Sequence, residues 1–171
     1  MQHVEVDVEF NGIVVFDPLN LKSYYGNIQN GENLFKRYIE TEEGDEVIGA
    51  GLIVPILSID DAGYDVILMK EGEVCEEEKH IITKNEFLFL EIVEKAIICD
   101  LYAIMDWDDS ISVDYTTMDL SPGKYRVSIG GYREMSGGNI EKAGYILKFA
   151  PVDVIGEVTA DLGKNMRVLD R

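Results

Sequence analysis

Val4, Val6, Val8 and Phe10 alternate with His3, Glu5, Asp7 and Glu9, the two-residue period of a strand with one face in a core and one in water. Asn11-Gly12 follows at once, a strong short-range hairpin signal, and Ile13-Val14-Val15-Phe16 predicts the returning strand, ended by Asp17-Pro18. Residues 17–46 lose this period. Leu34, Phe35, Tyr38 and Ile39 fall on one helical face there, with Asn30 as the expected cap, so one or two short helices are predicted across the stretch. Tyr24-Tyr25-Gly26-Asn27 reads as loop. Strand pattern resumes from Val47 to Ile59, as one buried strand or two split near Gly49-Ala50-Gly51, with Pro55 pushing its centre towards an edge or a bulge. Tyr64 to Lys70 returns after a turn at Asp60-Asp61-Ala62-Gly63.

Beyond an acidic loop, Glu71 to His80, Ile81-Ile82-Thr83 starts another strand. Asn85 to Met105 is rich in aromatic and branched residues in its first half, which predicts two strands with a turn near Glu94-Lys95, against the alternative of a buried helix over 94–105. Ser121-Pro122-Gly123 is turn chemistry. After it Tyr125, Val127 and Ile129 alternate with Lys124, Arg126 and Ser128. A leucine, a Pro-Gly turn and a tyrosine two residues on is a common entry to a late sandwich strand, where the tyrosine hydroxyl returns to the backbone. Tyr145, Leu147, Phe149, Val152 and Val154 make a last strand, and 156–171 reads as a weakly ordered tail. Many short strands between turns predict a mainly all-β single domain over 1–171, an antiparallel β-sandwich of jelly-roll type.

Charge changes the picture more than composition does. The chain has 33 acids against 15 bases, a formal −18. Such a field repels nucleic acid and anionic membrane and attracts basic surfaces. The same excess also serves simply to keep a protein soluble. No signal-peptide pattern opens the chain, and Val47 to Ile59 is too short to span a bilayer, which takes about 20 residues. Cys75 and Cys99 show no framework spacing, so a reducing cytoplasm is the expected location.

Chemistry is sparse. His3 and His80 lie on polar stretches, and no nucleophile elbow, phosphate loop or zinc-binding helix is present, so no catalytic residue and no cofactor is assigned. Cys75 and His80 alone do not make a tetrahedral zinc site. Asp106-Trp107-Asp108-Asp109-Ser110 has the outline of a calcium loop, but Ile111 stands where a glycine is required and Thr117 where a glutamate belongs. A calcium site assembled across loops from Asp60, Asp61, Asp106, Asp108 and Asp109 is the remaining metal option. Trp107 fenced by Asp106, Asp108 and Asp109 has two readings, an interface anchor ringed by acids or a ring tucked into the sandwich edge. Glu76, Glu77 and Glu78, with Tyr24 and Tyr25, complete the candidate partner contacts.

The order of elements resembles the competence protein J family, small bacterial inhibitors of a DNA-entry nuclease, and immunity proteins that neutralise nuclease toxins. The resemblance lies in Gly51-Leu52-Ile53-Val54 to Asp60, Tyr64 to Met69, the acidic loop, Ile81 to Val93 and Leu120-Ser121-Pro122-Gly123-Lys124-Tyr125. It implies a non-enzymatic protein that blocks a basic nuclease or toxin; no binding residue is carried over from it. Two other classes stay open: a calcium- or carbohydrate-binding module, motivated by acid-rich loops with Tyr24, Tyr25, Tyr132 and Trp107, and a structural protein of a phage or assembly.

Overall fold

The alternation at the start of the chain builds a strand, but its partner is not the one that the Asn-Gly turn suggests. In the computed structural model, which describes residues 1–169, β1 (Gln2–Val8) pairs with β4 (Ala62–Lys70), while β2 (Gly12–Phe16) pairs with β3 (Ile53–Leu57) and β6 (Ile97–Asp100). The expected hairpin is therefore a corner. The physical reason is in the pattern itself. β1 has one polar face and can sit at a sheet edge, whereas Ile13-Val14-Val15-Phe16 is apolar on both faces and must be covered on both. Asn11, at φ +56°, makes the corner. Its backbone N–H donates to Asp61 Oδ1 at 2.8 Å, and its side-chain amide to the Ile59 carbonyl at 3.0 Å.

The described residues are β-rich, with two sheets and short helices. Alongside β1 and β4, the five-stranded sheet holds β9 (Asn139–Val152), β8 (Gly123–Ser136) and β5 (Ile81–Ile92), in the order β1-β4-β9-β8-β5. The four-stranded sheet runs β3-β2-β6-β7, with β7 at Thr116–Thr117. The pairing is not wholly antiparallel, because β4 and β9 run parallel from Asp65↔Gly144 to Lys70↔Phe149. The break near Glu94-Lys95 falls where expected, but β5 and β6 lie in different sheets, so this too is a crossing and not a hairpin.

Three helices, not one or two, follow β2: α1 (Pro18–Tyr25), α2 (Leu34–Glu40) and α3 (Glu43–Gly49). Tyr24 and Tyr25 thus end a helix, and Asn33, not Asn30, caps α2 by accepting from Lys36 N at 2.9 Å. α3 takes the start of the segment expected as strand. Acids at its first turn suit the positive end of a helix, and Val47 is fully buried beneath it. Two further short helices, α4 (Tyr102–Met105) and α5 (Ile111–Asp114), follow β6. No helix among the described residues is long and apolar enough to cross a membrane.

The strands' two faces feed two cores. Val4, Val6, Val8, Ile13, Val15, Val54, Ile56, Ile98, Val127 and Leu147 meet in one cluster drawn from both sheets. Val14, Phe16, Ile53, Ile97 and Cys99, on the opposite face of the four-stranded sheet, pack with Leu21, Leu34, Val47 and Trp107 from the helices and loops. Each such side chain contributes about 1.5–3 kcal/mol on burial. The tyrosine corner is present: Tyr125 donates its hydroxyl to the Ser121 carbonyl at 2.7 Å. Tyr64 repeats the device on Asp60 at 2.7 Å. The stretch after β9, expected to be weakly ordered, has no helix or strand yet buries Met166 and Val168 in the inter-sheet cluster.

Asp17, 1% exposed, holds the helical layer to the sheets. Its Oδ1 accepts from Leu19 N at 2.9 Å and Asn20 N at 3.4 Å, capping α1. Its Oδ2 accepts from Val93 N at 2.8 Å and Glu94 N at 2.7 Å, at the crossing from β5 to β6. Replacing Asp17 by alanine removes the cap and takes the shared acceptor from Leu19, Asn20, Val93 and Glu94, an expected cost of about 3–5 kcal/mol. Thermal denaturation should show a melting temperature lower by roughly 10 °C; an unchanged midpoint rejects this role.

Candidate functional site

The helical layer exposes many acids. Glu40, Glu42, Asp45 and Glu46 are exposed on α2, α3 and the link between them, with Glu43 half-buried beside them. Asp106, Asp108, Asp109 and Asp114 are exposed on the loop and helix after α4. Hydrogen bonds join the two groups. Trp107 N donates to the Glu32 carbonyl at 3.0 Å, and Gly31 N donates to the Trp107 carbonyl at 2.7 Å. Arg37 then bridges Glu32 at 3.4 Å and Glu43 at 2.7 Å.

The sequence-derived candidates divide between two faces. Asp109 is tied to the helix that ends in Tyr24 and Tyr25, because Lys22 on α1 donates to Asp109 Oδ1 at 2.8 Å. That ammonium, with the Trp107 indole N–H, holds the Asp109 carboxyl below the usual range. The backbone N–H and hydroxyl of Ser110 do the same for Asp108. Tyr25 donates to the Tyr38 hydroxyl at 3.0 Å and lies under the Arg37 guanidinium, 5.1 Å from its ring centroid. Tyr24, edge-on to Tyr25, is 47% exposed.

Glu76, Glu77 and Glu78 are elsewhere. They form a 3-10 helix, Glu76–His80, beside an apolar patch of Ile67, Met69, Tyr132 and Ile146, the strand residues left outside the two main cores. Two of the three acids face a lysine of β9: Lys148 donates to Glu78 at 2.6 Å and Lys142 lies 3.8 Å from Glu77.

Of the two readings of Trp107, an interface anchor or a tucked ring, the structure shows the tucked ring, which corrects its place among the partner contacts. It is 2% exposed, tilted against Phe16 at 6.2 Å between centroids. Helices from the first third of the chain cover it, which its acidic neighbours give no hint of. Tyr132 is fully buried too, so of the four aromatics offered as a ligand platform only Tyr24 is exposed and Tyr25 is half-buried. The calcium set does not assemble. Asp61 accepts from Asn11 and Asp60 faces Arg167 at 3.7 Å near the β3–β4 turn, while Asp106, Asp108 and Asp109 sit in the helical layer. Among the described residues no group of three or more His, Cys, Asp or Glu is placed to hold a metal ion.

Two features escaped the sequence reading. Glu40-Thr41-Glu42-Glu43-Gly44-Asp45-Glu46 is a legible charge run, passed over because the segment was searched for apolar period. Phe87 carried no signal. A bulge in β5 between Asn85 and Leu88 sets it at φ +68°, half-exposed, with Arg126 5.8 Å from its ring centroid. A bulky residue in the left-handed region is strained, and only the non-local pairing of β5 with β8 puts it there.

No protein-family model and no curated protein matches the chain, so the competence protein J resemblance rests on sequence pattern alone. Among solved structures, crocagin biosynthetic gene J is similar over 88% of this chain and 99% of that chain, at 13% identity and a TM-score of 0.46. That likeness is too loose to transfer an activity.

Trp107 is the chain's single tryptophan, so its emission reports one site. It should be blue-shifted and shielded from acrylamide. Trp107→Ala should cost about 3–5 kcal/mol, read as a lower denaturation midpoint; a solvent-quenched indole overturns the assignment. Burial pushes Tyr25 and Tyr64 up to about 12. The unfolded chain releases these protons from about pH 10. Between the two values the folded state binds more protons, so stability that is complete below pH 10 falls as pH rises towards 12. Melting points measured across that window should decline steadily, and a flat profile contradicts it.

Proposed function

We propose that the two sheets are the layers of a β-sandwich roofed by helices, and that this scaffold is a non-enzymatic binding protein of the cytoplasm whose acidic helical layer docks a basic protein. The observation that carries the reading is that the helical layer exposes both the acids Glu40, Glu42, Asp45, Glu46, Asp106, Asp108 and Asp109 and large apolar side chains. Leu19 is 47% exposed, Tyr24 47% and Ile39 66%. Apolar anchors within a charged rim are the anatomy of a protein interface. A nuclease or toxin is the partner class that fits best, because a groove that binds the phosphate backbone must be cationic. A folded polyanion occupies such a groove by charge complementarity and associates fast. The competence protein J resemblance points the same way.

The three acids of the 3-10 helix play a lesser part, since Glu77 and Glu78 already face lysines of the same chain. The test starts with the partner isolated on immobilised full-length protein from the cells that make it. Its affinity is then measured across a salt series for wild type and for Glu42→Lys/Asp45→Lys/Glu46→Lys. The triple reversal should weaken binding at least about tenfold at low salt and flatten the salt dependence. Glu76→Lys should change little. Affinity indifferent to both salt and the triple reversal sinks the reading.

A further inference from the structure

The stretch after β9 is held in the way a bound peptide is held. β5 is a terminal strand of its sheet, and the chain beyond β9 lies beside it with no ladder of its own. Side chains of the body reach instead for the tail's backbone. Asn85 donates its amide to the Asp161 carbonyl at 2.8 Å and accepts from Asp161 N at 3.1 Å. Thr83 donates to the Asn165 carbonyl at 3.1 Å, and Tyr145 to the Met166 carbonyl at 3.0 Å. Two further contacts do read tail side chains: Thr83 Oγ1 also lies 3.6 Å from Met166 Sδ, and Asp60 faces Arg167 at 3.7 Å.

The most deeply buried tail side chains are two alternate residues, Met166 at 3% exposure and Val168 at 0%. Gly131 makes room for the second: a Cβ there would stand 2.8 Å from Val168 Cγ1 and 2.8 Å from Thr83 Cγ2. Backbone hydrogen bonds for affinity and alternate pockets for choice are the division of labour in strand-capture sites. The connection to the body has neither helix nor strand from Asp153 onward, and Val154 in it is 68% exposed.

We infer that the cleft formed by Thr83, Asn85, Gly131 and Tyr145 is a docking site for an extended peptide bearing apolar residues at i and i+2. In cis Asn165 to Val168 fill it, next to a turn in which Lys164 N donates to the Asp161 carbonyl at 3.2 Å, and the same segment of a second copy fills it in trans. Exchange of one element between copies needs no new contact, only release at the connection.

The test uses the full chain with a protease site inserted between Asp153 and Val154, cut after folding and mixed with a fluorescent peptide of residues 155–171. The cut chain should keep its tail through gel filtration and take up the labelled peptide saturably. A peptide with Met166→Ser and Val168→Ser should be taken up at least about tenfold more weakly. Loss of the tail without uptake of label, retention of the tail without exchange, or equal uptake of both peptides each overturns the proposal. Unfolding on cleavage overturns it too, since the cleft would then not exist without a tethered tail. Gly131→Ala in the uncut chain gives an independent reading. It should speed proteolysis at residues 153–157, and protection equal to wild type counts against the site.

Discussion

One buried carboxylate decides how the layers meet. Asp17 places two backbone N–H groups of α1 on one oxygen and two from the β5–β6 crossing on the other. A carboxylate at 1% exposure is costly unless its lone pairs are filled, and here backbone donors fill them on both sides. The same group therefore starts the first helix and fastens the point at which the chain leaves one sheet for the other. Phe16, one residue before it, then lies under Trp107, and the helical layer closes over Val14, Ile53 and Ile97.

That closure sorts the charges. With helices over one face of the four-stranded sheet, the acids of α2, α3 and the 106–114 stretch have nowhere to point but outwards, in a chain of formal charge −18. On the outer face of the five-stranded sheet acids are paired with lysines. Lys142 and Lys148 of β9 and Lys124 of β8 meet Glu77, Glu78 and Glu91, so acids there are matched at close range. On the helical side Lys22 and Arg37 do the same for Asp109, Glu32 and Glu43, and the net negative charge comes from the acids beyond these pairs.

Much of the local structure is legible in the residues. The alternation of β1, the Pro-Gly turn with its tyrosine corner at Tyr125 and the break near Glu94-Lys95 are all present at the positions that the pattern marks. The site was legible in part. Lys22 ties Asp109 to the helix of Tyr24 and Tyr25, but Trp107 among the acids is core, and the acidic run from Glu40 to Glu46 carries no apolar period to mark it.

What the sequence by itself determined is which stretches are extended, where they turn and how acidic the molecule is. These properties depend on neighbours within a few residues, where periodicity and turn chemistry act. Tertiary structure decided which sheet each strand joins, that β4 and β9 lie parallel, that Trp107 is covered, that Phe87 is strained and that Met166 and Val168 reach the core. Each of these rests on contacts between residues far apart in the chain. An Asn-Gly turn bends the backbone equally well into a hairpin or round a corner, and only the demand of Val14 and Phe16 for cover on the far side of their sheet chooses between the two.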